Sequence, residues 1–361
     1  MKKLKIAFLT SEYPHPKTGN SGGIGTSIKN LALGLLSQGC SVRVLVYGQK
    51  EEAIFEDNGI LVQQIRNVKF KGLSWYLTRK KLQKIINQLY DTQLIDLVEV
   101  PEWTGITSFI NAKCPIVIRL HGSDTYFCHL DNRPVKWINK FHEKRALQKA
   151  DGLLSVSQFT ADMTNEVFGM SEIFTIIPNG IDPSLFNQNS NGNDNYKKRI
   201  LYFGSLIRKK GLLELPFIFN EVIKTNPTAK LILIGKDVAD ISSGNTSTWQ
   251  MMQELFTEKA IANVVYLGSI PHTEIKEQIE QVSVCVFPSF AEALPVSWLE
   301  AMAMQKSIVA SNIGWGKEMI VDGECGFLVK PTKHQEYADK IEILLKDKEL
   351  ASIMGKNARI R

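Results

Sequence analysis

An alternation of short β-branched runs with longer amphipathic runs most restricts this chain, because it stops once and then starts again. Residues 5–10, 41–47, 95–100, 116–121 and 152–157 are rich in Val, Ile and Leu and are predicted strands. Residues 25–38 are a predicted helix, with Ile28, Leu31, Ala32, Leu35 and Leu36 on one face at the helical period. Apolar strands separated by helices belong in a parallel sheet covered on both faces. The pattern breaks at residues 187–195, a run of Asn, Gln, Ser, Gly and Asp that can bury almost nothing. It restarts with predicted strands at 199–203, 230–234, 264–267, 284–288 and 307–310, and helices at 212–224, 273–281 and 295–304. The 361 residues are therefore read as two doubly wound α/β domains, 1–186 and 199–361, joined by a linker at 187–198. Open α/β sheets bind ligands beyond the C-terminal ends of their strands, so a cleft onto which both sheets open is the expected site.

The net charge of +6 lies wholly in the first half, where residues 1–180 hold 22 Lys and Arg against 16 Asp and Glu. The second half balances at 21 against 21. A basic half suits an anionic partner, such as a phospholipid surface, a phosphorylated acceptor or a nucleic acid, or is simply a solvated surface. Cys40, Cys114, Cys128, Cys285 and Cys325 are odd in number and scattered, with no CxxC pair, and read as free thiols of a reducing compartment. The apolar run after Met1 is too short for a secretion signal, and no run of about 20 apolar residues exists to span a membrane. A cytoplasmic protein is expected.

Several segments at strand ends carry candidate chemistry. Ser21-Gly22-Gly23-Ile24-Gly25 opens the first helix, where glycines and free N–H groups suit an anion or a tight turn. Its spacing is neither that of a dinucleotide fingerprint nor of a P-loop. His121 ends one strand and is able to donate a hydrogen bond in either charge state. Glu99 and Glu102 end another and suit an acceptor hydroxyl or solvent. Arg208-Lys209-Lys210-Gly211 places consecutive cations after a strand, well suited to a diphosphate. The sharpest feature is Glu292 in a loop with Glu300 in the following helix. Carboxylates suit sugar hydroxyls because each accepts several hydrogen bonds. Glu300 also sits in an apolar stretch, and a buried charge requires a ligand or a protein partner.

Taken together, these segments resemble the retaining family 4 glycosyltransferases of the GT-B fold. The resemblance rests on the Gly22-Gly23 loop, His121, Pro178-Asn179-Gly180-Ile181-Asp182, Lys210-Gly211, the E-x7-E of Glu292 and Glu300, and the run from Glu318 through Gly326. They occur in family order along nearly the whole chain. The resemblance implies a nucleotide-diphosphate-sugar co-substrate, no metal and no other cofactor. Glu300 would bind the donor ribose, Glu292 the transferred sugar, and Lys210 the diphosphate. Gly22 and Gly23 would line the donor and acceptor cleft, and His121 would lie near the reacting centre. There are three departures. Ser205 stands where the family has arginine, which leaves Arg208 or Lys209 to supply that cation. Pro295 stands in place of a glycine and removes a backbone N–H. The family commonly continues into a further helix beyond the position of Arg361.

The acceptor is expected to be a glycan or a lipid-linked molecule, with bacterial surface polysaccharide or glycolipid assembly the commonest setting of such proteins. Residues 69–84 mix Lys69, Lys71, Arg79, Lys80, Lys81 and Lys84 with Phe70, Trp75 and Tyr76. That mixture suits peripheral contact with an anionic membrane on its inner face, or is an ordinary basic helix. No nucleic-acid fold signature accompanies it. A nucleotide-sugar epimerase, a phosphorylase or a non-catalytic nucleotide-sugar-binding protein are the alternatives. A nicotinamide oxidoreductase is disfavoured by the glycine spacing.

Overall fold

The computed structural model describes residues 3–19, 21–186 and 198–361. The expected linker at 187–198 lies, apart from Lys198, outside the described residues. By its internal contacts the chain separates into two units, Met1–Asp182 and Pro183–Arg361.

The first unit is built on strands β1 (Lys5–Thr10), β2 (Ser41–Tyr47), β3 (Ala53–Asp57), β4 (Ile60–Ile65), β5 (Leu97–Pro101), β6 (Ile116–Leu120), β7 (Gly152–Ser155) and β8 (Thr175–Ile176). Its helices are α1 (Gly23–Ser37), α2 (Ser74–Asp91), α3 (Asp124–Leu130), α4 (Trp137–Leu147) and α5 (Gln158–Phe168). The eight-stranded sheet runs β3-β4-β2-β1-β5-β6-β7-β8. Central β1 pairs in parallel with both β2 and β5, setting Ile6 beside Val42 and Leu97. The apolar side chains of β1 point alternately to two faces and serve two cores: Ala7 and Leu9 pack with Leu82, Ile86 and Ile118, Ile6 and Phe8 with Ile28, Val44 and Val62.

One element departs from the expected parallel sheet. β3 pairs antiparallel with β4 at the edge. Asn58 and Gly59 join them with φ of 52° and 81°. This two-residue Asn-Gly loop has the left-handed backbone that hairpins favour.

The second unit has β9 (Arg199–Phe203), β10 (Lys230–Ile234), β11 (Val264–Tyr266), β12 (Val284–Phe287), β13 (Ser307–Ser311) and β14 (Phe327–Val329). Its helices are α6 (Leu215–Thr225), α7 (Thr248–Leu255), α8 (Glu258–Ile261), α9 (His272–Glu280), α10 (Val296–Ala303), α11 (Trp315–Met319), α12 (His334–Lys346) and α13 (Lys348–Ile360). All six strands are parallel, in the order β11-β10-β9-β12-β13-β14. Arg359 of α13 donates to the carbonyls of Pro183 and Phe186, which ties the start of this unit to its last helix. No helix among the described residues is long and apolar enough to cross a membrane.

Candidate functional site

In the second unit, the loops that follow β9 and β12 are joined to each other. The N–H groups of Phe290 and Ala291 donate to the Lys209 carbonyl at 2.8 and 3.2 Å. Gly211 has a left-handed φ of 69°, and a Cβ there would lie 1.8 Å from the Pro288 carbonyl oxygen. This close approach excludes any side chain at 211. It sets Lys210 Nζ 2.7 Å from Glu292 Oε1. The Ser289 hydroxyl donates to the same oxygen at 3.2 Å. Glu292 is buried, whereas Lys210 keeps part of its surface open.

Glu300 lies one helix further on, in α10, and is only 4% exposed. The protein partner its apolar setting requires is His272, the first residue of α9, whose Nε2 is 2.7 Å from Glu300 Oε1. The His272 side chain is 55% exposed, so this pair has one face open to solvent. The Phe186 ring meets the imidazole edge-on at 6.4 Å.

The other two cations of the basic loop are placed differently. Arg208 makes a two-pronged contact with Asp240, Nε to Oδ1 at 2.8 Å and a terminal nitrogen to Oδ2 at 2.7 Å. That contact, with help from Ser243, holds the buried Asp240 carboxyl well below the usual carboxylate range. Lys209 contributes its carbonyl to the loop junction. The Ser205 carbonyl accepts the Tyr202 hydroxyl at 2.9 Å.

In the first unit, the glycine loop opens α1 with Gly22 as N-cap and Gly23 as the first helical residue. Its N–H groups face a carboxylate of the chain itself: Glu12 accepts from Gly22 at 3.1 Å and from Gly25 at 2.8 Å. Anion binding at a helix N-terminus is thus realised internally. The tight position is Gly25, where a Cβ would lie 2.0 Å from Ser21 Oγ. A Cβ on Gly23 would meet nothing within 4 Å. The Pro178-Asn179-Gly180 turn also docks on α1, Asn179 accepting from Ser27 at 2.7 Å and the Gly180 carbonyl from Asn30 at 3.3 Å.

His121 follows β6 directly. Its backbone N–H donates to both carboxyl oxygens of Glu102, at 2.8 and 2.9 Å. The histidine is half-buried, and burial of the imidazole among its neighbours and then the Arg119 charge push it down to about 3. His121 is therefore neutral at physiological pH and able to donate one ring hydrogen. Glu102 is fully enclosed. Burial first, and then the charge of Glu143, push it up to about 8, against the opposing N–H groups of His121 and Gly122. Glu143 is itself buried and accepts from the Thr104, Asp124 and Thr125 N–H groups and from the Thr125 hydroxyl. Together the two carboxyl groups clamp the turn that carries His121. Glu99 is tied to Arg119 at 2.7 Å, and the same guanidinium donates to the Ile177 carbonyl.

Sequence reasoning missed Glu12, Glu143, Asp240 and His272. A signal for His272 existed, a polar ring directly after Pro271 at a predicted helix start. For the other three, no local signal distinguishes them from surface carboxylates.

Two family models match in tandem. One described as Glycosyltransferase Family 4 matches residues 21–185, and one described as Glycosyl transferases group 1 matches residues 184–361. An uncharacterized glycosyltransferase of Methanocaldococcus jannaschii is 22% identical over 99% of this chain and 92% of its own length. The sucrose-phosphate synthase of Thermosynechococcus elongatus superposes with a TM-score of 0.78 at 18% identity, covering 99% of this chain and 93% of that one. Anabaena HepE, solved with UDP-glucose, superposes at 0.74 and 20% identity over 99% and 94%. With two parallel α/β units and both halves matched in order, this chain belongs to the family 4 glycosyltransferases and has the GT-B fold.

Proposed function

We propose that the chain transfers a sugar, with retention of anomeric configuration, from a nucleotide-diphosphate sugar to a glycan or lipid-linked acceptor. The observation that carries this reading is the pairing of Glu292 with Lys210, followed in the next helix by a buried Glu300 that pairs with the half-exposed His272. In this reading Glu300 accepts two hydroxyl hydrogens of the donor ribose, a task matched to a carboxylate. Glu292 orients the transferred sugar. Lys210 offsets the growing charge of the leaving diphosphate, so no metal is called upon. Arg208, anchored by Asp240, keeps the loop in shape, and Lys209 beside it supplies the second cation of the phosphate side. His121, neutral and held by its backbone, donates to the sugar near the reacting carbon, and Gly22 and Gly23 border the acceptor. Surface polysaccharide or glycolipid assembly, at the cytoplasmic face of a membrane, is the setting we propose.

HepE was solved with UDP-glucose, which makes UDP-sugars the first donors to try. The test is turnover of UDP-, GDP- and ADP-sugars by the parent and by Glu300→Ala, with the anomeric configuration of the product read by NMR. We expect Glu300→Ala to lose about 10²-fold or more in kcat/KM, the cost of about 3 kcal/mol of lost transition-state binding. Undiminished turnover in that variant removes Glu300 from the donor site. Isomerised donor without acceptor identifies an epimerase, phosphate-dependent release a phosphorylase, and binding without transfer a non-catalytic protein.

A further inference from the structure

The first unit carries an apolar surface that the transfer reaction does not use. Phe70 lies just before α2, Trp75 and Tyr76 at its start, and Trp137, Ile138 and Phe141 in the first turns of α4; all six are exposed, Trp137 by 76%. Sixty residues of sequence separate the two groups, yet they form one patch. The Trp75 ring meets Phe109 edge-on at 5.5 Å, and Phe109 meets Phe141 at 6.4 Å. Trp137 stands one helical turn before Phe141, on the same face. Exposed apolar surface gathered from two helices in this way marks a contact site.

The charges around the patch decide what it contacts. Lys69 and Lys71 flank Phe70, and Lys136 and Lys140 flank Trp137; all four are exposed. No Asp or Glu occurs between residues 58 and 90 or between 132 and 142. A second copy of the chain would bring these lysines against their own kind. The geometry points to an anionic lipid surface: the aromatic rings and Ile138 enter the boundary between headgroup and acyl chain, and the lysines meet the lipid phosphates. Of the lysines in the second turn of α2, Lys81 is occupied by Glu52 and the Arg66 carbonyl, and Lys80 lies over the Tyr76 ring. The surface therefore centres on the two helix starts rather than on Lys80, Lys81 and Lys84.

This inference deepens the proposed lipid-side acceptor, but its test requires no sugar transfer. The full chain is sedimented with vesicles of phosphatidylcholine, with and without about 25% phosphatidylglycerol, in the absence of donor. Binding is expected only to the anionic vesicles and is expected to weaken in high salt. Trp137→Glu with Phe141→Glu, and separately Lys136→Glu with Lys140→Glu, should each lower the bound fraction about tenfold. Because all four side chains are exposed, circular dichroism should be unchanged in both variants. Equal binding to neutral and anionic vesicles, insensitivity to both variants, or capture of a random oligonucleotide that competes with the vesicles would overturn the inference. A chain that transfers sugar but binds no vesicle refutes this surface alone; one that binds vesicles and transfers nothing refutes the transferase reading alone.

Discussion

The two units place carboxylates at the C-terminal ends of their sheets for opposite purposes. In the second unit the partners are basic side chains: Lys210 for Glu292, Arg208 for Asp240, and His272 for Glu300. In the first unit Glu12, Glu102 and Glu143 are satisfied largely by backbone N–H groups. Long side chains move, and a half-exposed one gives up its partner at small cost. Backbone amides do not move without the loop that carries them. The second unit thus holds its carboxyl groups with side chains that are able to let go, and the first holds them with backbone that shapes the turns around His121 and the glycine loop.

The comparison is broken most directly at Glu143. Its removal in Glu143→Ala strands three N–H groups and a hydroxyl in a buried site. Each unsatisfied donor costs about 1–3 kcal/mol, so a loss of about 4 kcal/mol or more in unfolding free energy is expected by urea titration. A loss under about 1 kcal/mol would show that the turn does not depend on this carboxylate.

Glu102 sharpens the comparison through pH. Its folded pKa of about 8 lies above the ordinary carboxylate value. Its favourable contribution is therefore full below about pH 4, the unfolded value, and is lost as pH rises toward 8. Glu102→Gln keeps the neutral shape and removes the titration. Between pH 5 and 8 the parent should lose stability relative to this variant, by on the order of 3 kcal/mol in all. Unfolding free energies of both proteins measured across that range check it; parallel curves would refute the shift. His121 acts in the opposite direction. Its folded pKa lies near 3, so its contribution is present above the ordinary histidine value and is lost as the pH falls toward 3.

The smallest effect is expected at His272. Its contact with Glu300 is half-exposed, and such pairs contribute under about 1 kcal/mol. His272→Ala should change KM for the donor by up to about fivefold, leaving kcat and stability near parent values. A change in kcat without change in KM would mean that the ring takes part in the chemical step.

Much of the architecture was legible because it is local. The strands predicted at 5–10, 41–47, 199–203 and 230–234 are found with those bounds. The β3–β4 hairpin was overlooked, although Asn58-Gly59 announces it. β3 is largely exposed and lacks the continuous apolar run that revealed the others. Loop residues Gly211 and Glu292 were legible as motifs, and Gly25 was not distinguished from Gly22 and Gly23. Only the packing of the Ser21 hydroxyl and the Glu12 carbonyl against it reveals which of these glycines is the most tightly enclosed.

What the sequence determined by itself was periodicity and neighbourhood: two doubly wound halves, the glycines at helix starts, and a carboxylate in a loop followed by another in the next helix. Each follows from residues within a few turns of one another, where spacing maps directly onto geometry. Partnership was decided only in three dimensions. Glu300 meets His272 from 28 residues away, Arg208 meets Asp240 across 32, and Glu143 reaches Thr104 across 39. Sheet order brings such residues together, and sheet order depends on which strands pair, not on their distance along the chain. That is why Glu300 was readable as a charge in need of a partner, while the partner itself was not.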